Sequence, residues 1–182
     1  MKKNKYNIIK RETVFDNPYR AVDKVRVHMP DGSEHDFWQT MVKDSVMVFS
    51  LTKDKQVILN DQYNILLELR GLELCAGFID DGYTALTAVQ RELREETGYV
   101  SDEWEEIGSM YVERWSSNKM TFFIAKNCER VGEQQLEKTE DIDVVLKSMD
   151  EVVTMLRNGT ITNGPSVACM YRALDVLGVL HI

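Results

Sequence analysis

The stretch from Gly77 to Tyr99, GFIDDGYTALTAVQRELREETGY, constrains this chain more than any other part of it. From Thr84 onward Ala, Leu, Gln, Arg and Glu dominate, and no Pro or Gly interrupts, which predicts a helix. Gly98 supplies the stop, since glycine suits the left-handed position just past a helix end. On that helix Glu92, Glu95 and Glu96 fall within roughly 100° of one another. Leu86, Val89 and Leu93 form a neighbouring apolar stripe, expected to face a core. Ala85 and Ala88 extend the acidic face toward the helix start, where small side chains would let a ligand lie close. Three carboxylates so close repel one another and disfavour the helix, so something must offset them. Arg91 can pair with Glu95 across one turn. A divalent cation is the stronger answer, because hard oxygen ligands suit Mg²⁺ or Mn²⁺. For the bare hexapeptide Arg91–Glu96, a solvated surface helix of Glu and Arg is the plainer reading.

The frame around the helix changes that balance. It resembles the Nudix box: Gly, five residues, Glu, seven residues, Arg-Glu, an aliphatic residue, any residue, Glu-Glu, any residue, Gly and an apolar residue. Gly77, Arg91, Glu92, Leu93, Glu95, Glu96, Gly98 and Tyr99 stand at matching places. The family's first Glu falls on Tyr83. The resemblance implies an α/β fold, the Nudix α/β/α sandwich with a mixed sheet. It also implies a hydrolase of nucleoside diphosphates linked to another group, with Mg²⁺ or Mn²⁺ held by Glu92, Glu95 and Glu96. Arg91 would orient Glu95 or Glu92 rather than touch substrate. The family's first Glu braces the loop entering the helix, so Tyr83 is expected to cost rigidity more than a ligand.

Ahead of the box stand Gln62-Tyr63-Asn64 and Glu73-Leu74-Cys75-Ala76-Gly77. The ADP-ribose pyrophosphatase and nucleotide-sugar branch of the family carries Gln-Tyr-Arg and Glu-Leu-Pro-Ala-Gly there, so Asn64 and Cys75 replace the Arg and the Pro. By this resemblance the Ala76 carbonyl is a further metal ligand, and Gln62 and Glu73 lie on the substrate side, Glu73 behind the metal ligands. Where the branch shows Ser-Pro-Gly, this chain has Trp115-Ser116-Ser117. Trp115 could stack on a base and Arg114 could clamp a phosphate, or Trp115 could simply anchor its loop. The branch places a mobile loop before the last strand, and a Glu on it activates the attacking water. Glu140 matches that position best, with Glu137 and Glu133 as fallbacks. Without the resemblance, these acids would read as solvated.

At 182 residues the chain fits one main domain, and 43% apolar residues suffice for a core. The net charge of −8 argues against a duplex-binding surface, which needs clustered Lys and Arg. Cys75, Cys128 and Cys169 match no zinc spacing and read as reduced, buried thiols of a cytoplasmic protein. No apolar run has the length of a membrane span, and the basic start lacks the apolar core of a signal peptide.

Residues 1–42 are expected to form a small antiparallel β segment, ahead of a catalytic domain over 43–182. Tyr6–Ile9 and Thr13–Phe15 read as short strands, and Ala21–His28 and Glu34–Met41 as a hairpin around Met29-Pro30-Asp31-Gly32-Ser33. So small a sheet buries too little alone and must pack on the main domain or on another copy of the chain. The arrangement resembles the N-terminal segment through which the same branch of the family dimerises, which implies a homodimer. His28 and His35 lie on this hairpin as surface residues, with a metal role the less favoured reading. Further on, Ser45–Leu51 is a sheet-centre strand, and Trp104–Tyr111 and Met120–Ala125 are strands. Ser148–Arg157 is a helix with a capping box, and Ser166–Leu180 a closing helix. Two functions from different classes remain. One is a metal-dependent hydrolase of ADP-ribose or a related nucleotide-sugar. The other is a nucleotide-binding or sensor protein of the same fold.

Overall fold

The structure is a computed structural model and describes residues 5–180. Strands β1 (Asn7–Asp16), β2 (Ala21–His28) and β3 (Glu34–Met41) form an antiparallel three-stranded sheet. The turn between β2 and β3 closes as its Pro-Asp-Gly chemistry predicts, with Met29 N–H donating to Ser33 O at 2.8 Å. β1 is one continuous strand rather than two. Register shifts at Ile8/Lys10 and Thr13/Phe15 let it bend, as extra residues in a ladder do. All of β1 is exposed, so no apolar alternation was required of it. His28 and His35 are exposed as well.

Among the described residues, the chain falls into two compact units. One comprises the residues up to Asp44 together with Tyr111–Lys119; the other comprises Ser45–Met110 together with the residues from Met120 onward. The first unit has a thin interior. Of its described apolar side chains only Val25 and Val27 are buried, beside Asp23, which Thr13 Oγ1 (2.8 Å) and Arg11 (3.3 Å) hold.

The second unit continues with β4 (Ser45–Thr52), β5 (Val57–Asn64), β6 (Leu69–Glu73), β7 (Cys75–Phe78) and α1 (Ala85–Thr97). After these come β8 (Tyr99–Val100), β9 (Glu103–Tyr111), β10 (Lys119–Arg130), β11 (Ile142–Lys147), α2 (Met149–Arg157) and α3 (Gly164–Val176). The sheet runs β11-β5-β4-β10-β8, with β6 on β5, β7 on β4 and β9 on β10. β4 and β10 are parallel while β5 and β7 run antiparallel to β4, so the sheet is mixed. β4 is buried from Ser45 to Leu51, as a central strand should be.

Strand alternation sends Val46, Val48, Ile58, Phe123 and Ala125 to one face, where they pack with Ala88, Val89 and Leu93 of α1. α3 covers the other face through Cys169, Met170, Ala173 and Leu174, and Arg172 lies 5.9 Å over the Phe122 ring. The expected α/β/α sandwich is therefore the fold. One part of the helix reading is corrected: Leu86 is exposed, while Ala88 is completely buried and Ala85 packs against the core. α1 approaches the sheet closely at Ala88, which faces the core, while Ala85 and Leu86 border an open hollow beside Trp104 and Phe123. α3 begins at Gly164 rather than Ser166, because Asn163 caps it by accepting from Ser166 N–H at 2.9 Å and Pro165 suits a first turn. It ends at Val176. Cys75, Cys128 and Cys169 are buried free thiols. Among the described residues no helix is long and apolar enough to cross a membrane.

Candidate active site

α1 is fixed at both ends. Thr84 caps its start, in reciprocal bonds with Thr87, and Gly98 ends it at φ 76°. Gly98 has a second reason to lack a side chain: a Cβ there would stand 2.3 Å from Gly132 O. That contact belongs to the segment after β10, which is strapped to the end of α1. Gln135 N–H donates to Glu95 O (2.7 Å), Gln134 Nε2 to Glu96 O (2.7 Å), and Val131 N–H to Gly98 O (2.9 Å). These are carbonyls that a helix end leaves without partners, so the strap satisfies the helix while placing itself. The far end of the segment is anchored by Arg70, which donates to Asp141 (2.6 Å) and Asp143 (3.1 Å). Hydrogen bonds thus hold the segment on both sides of Glu137 and Glu140.

Between helix and strap lies a cavity of about 160 Å³ lined by Asp80, Arg91, Glu92, Glu95, Glu96, Gln135, Glu137 and Glu140. Six of these eight are acids and Arg91 alone is cationic. A larger hollow of about 420 Å³ beside Trp104 and Phe123 carries one carboxylate, Glu106, and no cation, so the concentration of charge is in the smaller one. Arg91 organises the acids, binding Glu92 at 2.6 Å, Asp80 at 3.2 Å and Glu95 at 3.6 Å. Its guanidinium also lies 4.8 Å over the ring of Tyr83. The residue at the first acidic place of the box therefore meets this arginine through its π face.

Glu92 is held close to the backbone: a Cβ on Gly77 would meet its carboxyl carbon at 2.2 Å. Burial raises its carboxyl above the ordinary range, against the lowering effect of Arg91. Glu96 is more deeply enclosed, and burial pushes its pKa up to about 8, with Asn60 Nδ2 donating to it at 2.7 Å. Glu140 Oε2 accepts from Glu137 N–H at 2.8 Å. Glu133 points away, paired with Arg130 at 2.9 Å and almost fully exposed.

Of the residues expected at the site, Arg91, Glu92, Glu95, Glu96, Glu137 and Glu140 share the cavity. Ala76, Glu73 and Gln62 do not line it. Ala76 adjoins Gly77 on β7, and Glu73 stands opposite Asn60 in the β5–β6 ladder, its carboxyl raised by burial. Arg114 and Trp115 belong to the first unit, where Trp115 O accepts from Thr40 N–H at 2.7 Å. Asn60 and Asp80 were missed. A buried amide following Val57-Ile58-Leu59 was the available signal for the first; for Asp80, one acid in an acidic chain, there was none.

Among the described residues no three His, Cys, Asp or Glu side chains meet in a ready-made metal cluster. The donor set nevertheless fits a hard divalent cation. It is all carboxylate oxygen, Glu96 has no cationic partner among the described residues, and the buried Oδ1 of Asn60 beside it has no partner.

Residues 41–168 match the NUDIX domain. The chain belongs to the Nudix family. It is 28% identical to a GDP-mannose pyrophosphatase of Pectobacterium atrosepticum over 127 residues, 65% of each chain. With one from Salmonella arizonae it shares 28% over 132 residues, 68% of each. A methanol dehydrogenase activator of Bacillus methanolicus is 23% identical over 161 residues, 87% of each chain. The crystal structure of an ADP compounds hydrolase superposes with a TM-score of 0.84 over 97% of this chain and 98% of that one, at 20% identity, a likeness of fold.

The contact at Gly77 gives this Nudix box a specific test. The group a Cβ would strike is the flexible end of Glu92, not backbone, so Gly77→Ala should fold and melt near the parent. Displacing the carboxylate should weaken Mn²⁺ binding about tenfold. Thermal melting and Mn²⁺ titration, run together, check both halves.

Proposed function

We propose that this Nudix pyrophosphohydrolase splits the diphosphate of a nucleotide-sugar, of the ADP-ribose or GDP-mannose kind, into a nucleoside monophosphate and a sugar phosphate. The observation that carries this reading is the gathering of the box glutamates and Glu140 around one cavity. Glu92, Glu95 and Glu96, which share the cavity wall, would hold Mg²⁺ or Mn²⁺. When bound, the cation neutralises diphosphate oxygens and makes water easier to deprotonate. Arg91 keeps Glu92 and Glu95 oriented. Glu140 takes the proton of the attacking water as its oxygen bonds to phosphorus and the bridging P–O bond breaks, the electron pair leaving with the departing phosphate. A cavity of about 160 Å³ is small beside the ~300 Å³ or more of ordinary ligand pockets, so it suits the diphosphate and not the whole substrate.

ADP-ribose, GDP-mannose, UDP-glucose and dinucleotides, each tried with Mg²⁺ and Mn²⁺ and scored by released monophosphate, test this. Release from ADP-ribose or GDP-mannose is expected. The second reading is a nucleotide-binding regulator, favoured by Tyr83 at the first acidic place and by the similarity to the Bacillus methanolicus activator. Tight binding without release from any compound would establish it instead.

The first unit supports assembly as a homodimer. Ile8, Val14, Phe15, Phe37 and Trp38 are each about half exposed on a sheet that buries little of its own. Light scattering at micromolar concentration and physiological salt should give twice the chain mass. A monomer under those conditions would remove this assignment.

A further inference from the structure

Glu96 is the most enclosed carboxylate of the cavity, and its partners are neutral. Asn60 Nδ2 donates to its Oε2 at 2.7 Å, and the buried Cys75 thiol is the other neutral group set against the same carboxylate. Both groups come from the sheet beneath α1. β10 occupies one side of β4, so β5 and β7 share the other, β5 at Ser50–Leu51 and β7 at Ser45–Val48. Asn60 lies in the middle of β5 and Cys75 opens β7, each 1% exposed. Buried sheet positions favour apolar side chains, and an amide there costs about 1–3 kcal/mol for each polar atom left unbonded. Asn60 carries that cost, because its Oδ1 has no partner. The compensation visible in the fold is the bond to Glu96. Cys75 stands where the family branch that the sequence resembles has proline, which has no side-chain donor.

We propose that Asn60 and Cys75 are positioning residues for Glu96. An ionised carboxylate accepts about four hydrogen bonds or ligands. The amide N–H takes a lone pair on the sheet side, where the thiol also faces the carboxylate, and the others are left for the cavity shared with Glu92 and Glu140. Fixing the carboxylate in this way prepares it for a cation without neutralising it, as a lysine or arginine in the same place would. The proposal rests on the reading of the cavity as a divalent-cation site.

The test is substrate-free titration of the full chain with Mn²⁺, followed by electron paramagnetic resonance and calorimetry, with melting curves to check folding. Asn60→Leu and Cys75→Val should each raise the Mn²⁺ dissociation constant about ten- to a hundredfold. Cys75→Ser, whose hydroxyl can donate in place of the thiol, should stay within about threefold of the parent. Glu96→Gln, run alongside, should lose at least as much as either. If Glu96→Gln weakens binding but Asn60→Leu and Cys75→Val do not, the positioning role is overturned and the cation site stands. If Glu96→Gln also leaves binding intact, the cation site itself fails and the proposal goes with it. Cys75→Ser as impaired as Cys75→Val would overturn the thiol's part. Should Asn60→Leu not fold, Asn60→Ala makes the same comparison.

Discussion

Glu96→Gln should lower turnover by at least about a hundredfold at saturating Mg²⁺, roughly 2.7 kcal/mol of transition-state stabilisation. Gln has the shape of Glu and can still accept the Asn60 amide proton, so the packing under α1 survives. What it loses is charge and oxygen-only donation. The acids nearest it are already engaged: Glu92 with Arg91 at 2.6 Å, and Glu140 with the Glu137 amide at 2.8 Å. None is free to move into its place without giving up a bond. Melting temperature should therefore hold while rate falls. Near-parental turnover in a well-folded variant would move the site off this helix.

Much of this site was legible because helical spacing is local. The i, i+3 and i+4 relation of Glu92, Glu95 and Glu96 needs nothing beyond the helix itself. Thr84 and Gly98 are end signals whose physics lies within a few residues, and the structure has them at those ends. β4 was equally plain, since a strand buried on both faces is apolar at every position. What escaped the sequence depends on distance between elements. Leu86 looked like core and Ala88 like ligand-facing surface because a hydrophobicity stripe does not tell how near the sheet lies. Asn60 acquires its meaning only from a helix 36 residues further on, and Arg70 from acids more than 70 residues away. Tyr83 could be flagged as a departure, but the stacking that gives it a role requires Arg91 to fold back over its ring. β1 ran through a polar stretch that broke the apparent strand in two, because a fully exposed strand carries no burial pattern to follow.

Glu140→Gln should lower the maximal rate by about a hundred- to ten-thousandfold while substrate and metal affinity change little. Attack on a diphosphate needs a carboxylate that no cation has neutralised, placed to take a proton from water. Glu92 and Glu95 are drawn to Arg91 and Glu96 to Asn60, and under the proposed function all three would be engaged as cation ligands rather than as the proton acceptor. Glu140 lines the same cavity from the opposite wall, and no cation pairs with it among the described residues. It is also held where it must act. Gln134 and Gln135 tie the segment before it to the end of α1, and Arg70 grips Asp141 directly after it. Its Oε2 already accepts the Glu137 amide, which orients the group and leaves the other oxygen for water. Glu133 stands outside the cavity in an exposed pair with Arg130, so Glu133→Gln should be nearly silent. Glu137 shares the cavity, which makes it the one competitor. Single-turnover rates separate the two: a loss at Glu137→Gln with none at Glu140→Gln would transfer the base three residues toward the N-terminus. Full rates in all three variants would leave the proton to a box carboxylate.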